Sequence, residues 1–172
     1  FQNGQRLEAA VKYTDPLYDI ALLVVKGDLK EIKALEFCET VRMGESISVI
    51  GNSQSAGLSI SLGHLSKKYR YDVGELFQPA LQITTTSRSG CSGGPLLNQE
   101  GQSLGLIYAS DGDTIGFAIH AKYLVKIVED LKKGKKPART FLGVKMALVS
   151  LSEATKCLKF PPAESLNYTQ KF

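Results

Sequence analysis

The chain has 172 residues, 43% of them hydrophobic, and a formal net charge of +4 at pH 7. This length allows one large domain or two small barrels, and the hydrophobic content is enough for a packed core. No run of 18 apolar residues is present, which argues against a membrane-spanning helix. The chain begins at Phe1 without a signal-peptide pattern, so we expect further residues upstream.

Short predicted strands separated by turns occupy the chain before Ala121. Many short strands with regular turns predict antiparallel β-barrels. The strand from Asp19 to Val25 is apolar enough to be buried on both faces, and a polar loop is expected to open at Lys67. The predicted strands cover 7–13, 19–25, 46–50, 58–65, 81–86, 95–97, 103–108 and 114–119.

One helix is predicted, from Lys122 to Lys133, because four apolar residues in it fall on one side at helical spacing. Gly134 stands where a glycine cap ends a helix. The basic run from Lys132 to Arg139 suits a helix end followed by a linker, since the helix dipole favours cations there. Contact with nucleic acid or with a membrane is the alternative for this run, and contact with nucleic acid would be sensitive to salt.

The three cysteines, Cys38, Cys91 and Cys157, are an odd number at wide spacing. This spacing is neither a zinc-site pattern nor a disulfide framework. A bridge between one pair stays open at this stage, and the redox compartment therefore stays open too.

The segment from Gly90 to Leu96 is the most informative part of the sequence, because it reads Gly-Cys-Ser-Gly-Gly-Pro-Leu. A seryl hydroxyl attacks a carbonyl only if a base takes its proton and donors meet the oxyanion that forms. Glycines allow the backbone to turn its N–H groups into one pocket, and the amides of Gly90 and Ser92 are the natural donors. An ordinary flexible loop is the alternative for the same residues.

An ordered set of motifs makes this sequence resemble the HtrA/DegP (Do-like) serine proteases. The resemblance implies a mainly β fold: a trypsin-like double β-barrel with an incomplete first barrel, a C-terminal helix and the start of a PDZ-like domain. The implied boundaries are 1–39, 40–120, 121–140 and 141–172, in that order. The motifs are Asp15-Pro16, Asp19-Ile20-Ala21, Ile50-Gly51-Asn52, Ser61-Leu62-Gly63, Gly90 to Leu96, Ile115 to Ile119 and Phe141 to Val144.

The resemblance implies a role for several residues. Ser92 is the nucleophile, Asp19 orients the base, and the amides of Gly90 and Ser92 form the oxyanion hole. Residues 116 to 118 are expected to pair with an extended peptide, as a free strand edge would. The substrate pocket, which favours uncharged apolar side chains, is expected to include Thr86, Ile115, Gly116, Phe117 and Ala118.

The resemblance also implies an ATP-independent endopeptidase that needs no cofactor or metal and degrades unfolded or extended polypeptides in protein quality control. It further implies a trimer-based homo-oligomer in an extracytoplasmic or organellar compartment, such as the periplasm, a mitochondrion or a chloroplast. No nucleic-acid partner is implied.

The catalytic histidine is missing, since a protease of this order needs a histidine before Asp19. The two histidines, His64 and His120, do not match that position, and we expect both to be surface or partly buried structural residues. The chain is then expected to begin after the catalytic histidine and to be nearly inactive alone. A non-catalytic peptide-binding relative that has lost the histidine is the alternative.

Four family positions carry unusual residues: Cys91 before the nucleophile, Arg88 and Ser89 in the oxyanion loop, and Thr84 in place of an acidic residue. A different enzyme class also fits part of the pattern. Gly90-x-Ser92-x-Gly94, followed by Asp113 and His120, has the order of an α/β-hydrolase. That fold needs a helix directly after the serine, and Pro95 argues against one.

Overall fold

The computed structural model describes residues 5–16, 18–30, 32–53, 57–70, 80–85 and 89–135. These residues belong to the first of two compact units, Phe1–Pro137. The predicted PDZ-like start at 141–172 and the predicted pocket residue Thr86 lie outside the described residues, as does Arg88.

Eight strands and one helix follow one another in the described part of the chain. Strands β1 and β2 form an antiparallel two-stranded sheet, and strands β3 to β8 close a barrel in the order β3-β4-β5-β8-β7-β6. The bounds are β1 Ala9–Asp15, β2 Ile20–Val25, β3 Ser46–Gly51, β4 Ser59–Arg70, β5 Ala80–Ile83, β6 Pro95–Leu97, β7 Ser103–Asp111, β8 Ile115–His120 and α1 Ala121–Lys132. The predicted mainly β fold with a closed barrel and a helix after it is confirmed.

The barrel core forms because buried and more exposed residues alternate along its strands. In β3, Ile47 and Val49 are buried while Ser46 is exposed, as expected for a strand with one face toward the core. Strands on every side contribute to one apolar cluster, so the barrel encloses side chains rather than a channel. The cluster comprises Val41, Ile47, Val49, Leu65, Leu81, Ile83, Cys91, Leu96, Leu104, Ile107 and Ala118.

Two predicted strand ends differ from the structure. Strand β4 continues through Arg70, pairing Lys67 with Gln82 and Arg70 with Ala80, so the predicted polar loop at Lys67 is wrong. Polar residues on the outer face of a half-buried strand look like a loop in sequence. Strand β5 ends at Ile83 rather than at residue 86, because the Thr84 hydroxyl accepts from the His64 amide at 3.1 Å.

The sheet of β1 and β2 leaves apolar side chains exposed. Leu23 is 52% exposed and Val11 is 63% exposed, so the predicted burial of β2 on both faces is wrong among the described residues. A two-stranded sheet cannot cover both of its faces by itself. The two strands of this sheet are therefore held together by their backbone pairing, in which Val11 pairs with Leu23 and Asp15 with Ile20.

Helix α1 confirms the predicted helix and its glycine cap. Its buried residues Leu124, Ile127 and Leu131 share one face. At the end, the Gly134 amide donates to the Leu131 carbonyl at 3.0 Å, and Gly134 has φ +68°, which glycine adopts without strain. Within the described residues, no helix has the length and apolar character needed to cross a membrane.

His120 caps the start of α1. Its Nδ1 atom accepts a hydrogen bond of 3.0 Å from the Lys122 amide, and its ring packs edge-on to Tyr123 at 6.3 Å between centroids. The residue is 1% exposed. Burial lowers the pKa of His120 below 6.5, and the positive charges of Lys122 and Lys68 lower it further. His120 therefore has a structural role, but it is buried and not at the surface or partly buried as predicted.

The barrel also depends on a glycine in β7. A Cβ added to Gly105 would meet the carbonyl oxygen of Ile119 in β8, a backbone atom that cannot turn aside. We expect Gly105→Ala to lower the free energy of unfolding by about 3 kcal/mol, at the upper end for overpacking. Gly101→Ala, at an open turn position with φ +78°, is the control and should cost only about 1 kcal/mol. Urea unfolding measures both, and equal losses would contradict the close contact.

The His120 cap should make stability depend on pH. Because the folded-state pKa of His120 is lower than its unfolded value, its contribution is complete above pH 6.5 and is lost as the pH falls toward the folded value. The unfolding temperature should therefore fall less between about pH 7.5 and about pH 5.5 for His120→Asn, which keeps a cap acceptor, than for the wild type. For His64→Asn, which removes an exposed imidazole, it should fall as much as for the wild type. An equal fall for His120→Asn and the wild type would contradict the assignment of this pH dependence to the His120 cap.

Candidate active site

Ser92 lies in the turn between β5 and β6, with its side chain exposed and its neighbour Cys91 buried. Gly90 and Gly93 flank this turn with φ +98° and +82°, a region that residues with a Cβ seldom adopt. Gly94 has no room for a Cβ, which would meet the carbonyl oxygen of Ile50. The sequence folds into this turn because glycine stands at each position where a side chain would be strained or would collide.

Backbone hydrogen bonds hold the turn against β7. The Gly93 amide donates to the Ile107 carbonyl at 2.7 Å, and the Ile107 amide donates to the Gly94 carbonyl at 2.9 Å. Ile107 was not among the predicted site residues. Ile107 lies in β7, the strand after β6, so its position in the sequence suggests only that it is near the serine turn. Its bonds to the turn are made by its backbone, so they leave no residue-type signature in the sequence.

The orientation of the Ser92 amide follows from a further bond inside the turn. The Gly94 amide donates to the Cys91 carbonyl at 2.9 Å. In a trans peptide the C=O and the next N–H point in opposite directions, so the Ser92 N–H points away from Gly94. Within the described part of the chain, neither this amide nor that of Gly90 donates a hydrogen bond. Two amides beside an exposed hydroxyl are thus available to a ligand oxygen.

Asp19 stands directly before β2 and is exposed. Asp19 has φ +51°, and every other residue with a positive φ in the described ranges is a glycine. Aspartate tolerates this conformation better than most residues, and such strain is concentrated at functional sites. The carboxylate that caps this turn is that of Asp15, which is buried and whose Oδ1 accepts from the Tyr18 amide at 3.3 Å.

The predicted substrate strand is β8, which contains Ile115, Gly116, Phe117 and Ala118. Ile115 is half-buried, and the three residues after it are buried. Strand β8 pairs with β5 on one edge and with β7 on the other throughout 116–119. The expectation that residues 116 to 118 pair with an extended peptide is therefore corrected, because both backbone edges are occupied. Their place beside a substrate pocket stays a prediction.

The two histidines are not part of this turn. His120 is committed to the cap of α1, and His64 is exposed on β4. His64 lines an open cleft of about 610 Å³ on the barrel surface, together with Leu62, Thr84 and Asn98. The predicted surface position of His64 is confirmed.

The α/β-hydrolase alternative and a bridge between Cys38 and Cys91 do not fit the structure. Ser92 is followed by strand β6 and not by a helix, so the α/β-hydrolase alternative with Asp113 and His120 is wrong. Cys38 and Cys91 are both free thiols, so these two do not bridge.

Comparisons with known proteins agree with this geometry. The family described as trypsin-like peptidase domain matches residues 1–106, which is more than half of the chain. A probable periplasmic serine endoprotease DegP-like of Pseudomonas putida is 34% identical over 143 residues, covering 80% of this chain and 30% of that protein. The serine protease Do-like HtrB of Bacillus subtilis is 31% identical over 156 residues, covering 84% of this chain and 34% of that protein.

Solved structures show the same likeness. The HtrA-type protease AlgW with decapeptide superposes with a TM-score of 0.77 at 26% identity, covering 90% of this chain and 50% of that one. The serine endoprotease from Yersinia pestis has a TM-score of 0.68 at 29% identity, covering 78% of this chain and 48% of that one. This chain spans about a third of the length of the curated relatives it matches. It belongs to the trypsin-like peptidase domain family, and its relatives there are serine endoproteases of the HtrA/DegP type.

Proposed function

We propose that this chain carries the nucleophile and the oxyanion donors of an HtrA/DegP-type serine endopeptidase. The observation that supports this most directly is the exposed Ser92 hydroxyl in a turn whose Gly90 and Ser92 amides donate to no described residue. An amide that is left without a partner in a rigid turn is a ready donor for a developing oxyanion.

The proposed reaction is acyl transfer in two halves. The Ser92 oxygen forms a bond to the peptide carbonyl carbon while its proton passes to a base, and the carbonyl oxygen becomes an oxyanion facing the two amides. The C–N bond then breaks, the leaving amine takes the proton from the base, and an acyl-enzyme remains. Water, which loses a proton to the same base, hydrolyses this ester and frees Ser92.

Asp19 is proposed to orient the base. A carboxylate that accepts from the distal nitrogen of an imidazole fixes its tautomer and stabilises the imidazolium that forms. Neither His64 nor His120 is placed for this task, because one lies on the outer face of β4 and the other caps α1. The imidazole is thus the member of the triad that this sequence does not contain.

The substrates are proposed to be unfolded or extended polypeptides, as in protein quality control. A solved relative is described with a bound decapeptide. The apolar residues Ile115, Phe117 and Ala118 at β8, with Thr86, would border the pocket for an uncharged side chain. An extracytoplasmic location is part of the same proposal, supported by relatives named periplasmic DegP-like endoproteases. A trimer-based assembly and the boundaries at 39, 120 and 140 are proposed from the family resemblance.

The nucleophile is tested by Ser92→Ala in the full-length protein. Casein cleavage should fall by at least about 10⁴-fold, since the covalent step is lost, and a fluorophosphonate probe should no longer label the protein. Ser46→Ala, which removes another exposed hydroxyl at the start of β3, should leave both readouts unchanged. Retained activity in Ser92→Ala would refute the nucleophile. A wild type that binds peptide but neither cleaves nor labels would favour the non-catalytic binder.

Asp19 is tested by Asp19→Asn, which keeps the size of the side chain and tolerates the observed backbone conformation. The rate kcat should fall by about 10⁴-fold if the carboxylate holds the base in its correct tautomer. Asp28→Asn, in the exposed segment after β2, is the matched control and should behave as the wild type. A loss of less than about tenfold would leave no orienting role for Asp19.

A further inference from the structure

The serine turn is held on a second side by the end of β3 and the residues that follow it. The Asn52 amide donates to the Gly90 carbonyl at 3.3 Å. Beside it, a Cβ added to Gly51 would lie 2.8 Å from the Cα atom of Cys91 and 2.9 Å from its Sγ atom. Residues 51 and 52 therefore contact the two residues that precede the nucleophile.

Asn52 also closes its own loop through its side chain. Its Oδ1 atom accepts a hydrogen bond of 2.8 Å from the Gly57 amide, just before β4 begins at Ser59. Any residue other than proline could supply the backbone N–H that Gly90 uses, but only a short side chain with an oxygen acceptor makes this loop bond. The loop bond ties Asn52 to the rigid β3–β4 pair, which fixes where its N–H points.

The Gly90 carbonyl needs such an anchor because of the residue that carries it. Gly90 has φ +98° and no Cβ, so rotation about its backbone bonds meets little steric resistance. The hydrogen bond to the Gly90 carbonyl restrains ψ of this residue, while the contact of Gly51 with Cys91 restrains the next residue. The direction of the Gly90 N–H relative to the Ser92 N–H depends on φ and ψ of Gly90 and Cys91, so these two restraints limit how far the two N–H groups can turn apart.

We propose that Asn52 is a positioning residue for the oxyanion donors, acting through the Gly90 carbonyl and the loop bond to Gly57. This inference rests on the proposed protease function for its kinetic consequence. Within the described residues, the hydrogen bonds of Asn52 go to Gly90 and Gly57 and not to Ser92. Loss of its side chain frees the loop, the N–H drifts from Gly90, and the two donors no longer converge.

Asn98 offers a closely matched control in the same barrel. Its Oδ1 atom accepts from the Gln102 amide at 2.8 Å and its Nδ2 atom donates to the Gln102 side chain at 3.0 Å. These bonds close the turn between β6 and β7. Asn98→Ala therefore removes two asparagine side-chain bonds, one of them of the same length as the loop bond of Asn52, and neither involves residues 89–94.

The kinetic experiment compares Asn52→Ala, Asn52→Asp and Asn98→Ala in the full-length protein. We expect Asn52→Ala to lower kcat by about tenfold with KM within about twofold, less than the 10²-fold or more that removal of a donor costs. Asn52→Asp keeps the acceptor and should restore kcat to within about twofold of the wild type. Asn98→Ala should lower the unfolding temperature at least as much as Asn52→Ala does but leave kcat unchanged.

A second readout does not depend on catalysis. In protein labelled with ¹⁵N at glycine and serine, Asn52→Ala should shift the amide resonances of Gly90 and Ser92, whereas Asn98→Ala should not. If the wild type neither cleaves casein nor reacts with the fluorophosphonate, the protease function fails, and these shifts still decide whether Asn52 orients Gly90. The inference is overturned if kcat of Asn52→Ala stays within about twofold of an active wild type, or if the two resonances do not move.

Discussion

The serine turn depends on backbone packed directly against backbone. The carbonyl of Ile50 occupies the space where a side chain at Gly94 would lie, and Ile107 exchanges two hydrogen bonds with Gly93 and Gly94. Backbone groups placed this way cannot rotate out of position as side chains do, so the turn inherits the rigidity of the barrel. This suits a site that must present donors before the charge they stabilise has formed. The hydroxyl can stay exposed because the residues around it are held by backbone hydrogen bonds to Ile107, which is buried.

The sequence predicts what depends on residue type. The glycines around Ser92, the amphipathic helix and the alternation in β3 are all visible, because glycine, apolar spacing and β-branched residues each have a direct conformational cost or benefit. Both histidines can be assigned structural roles from the sequence, because neither lies before Asp19, where the family motifs require the catalytic base. The family motifs assign Asp19 and Ser92 to one proposed catalytic arrangement, although no local sequence pattern connects these two residues.

What the sequence did not reveal depends on backbone pairing. The extension of β4 through Arg70 is decided by its partner β5, and polar residues on an outer face look the same in a loop. The occupation of both edges of β8 could not be foreseen, because a strand sequence does not state how many neighbours it has. Ile107 and Asn52 contact the serine turn through backbone amides and carbonyls, so these contacts have no residue-type signature in the sequence. The side-chain bond from Asn52 to Gly57 depends on residue type, but an asparagine in a turn does not indicate which later segment its backbone meets.

The proposed nucleophile and the proposed acid differ in how firmly their surroundings hold them. Among the described residues, Ser92 lies in a turn of a closed barrel whose core is a cluster of eleven buried residues. Asp19 begins a strand of a two-stranded sheet whose apolar residues Leu23 and Val24 are about half exposed. Segments with less buried apolar surface open at lower free energy than the core. The geometry of such a pair is therefore most easily changed from the side of Asp19, by whatever covers that sheet, while the turn around Ser92 keeps its shape.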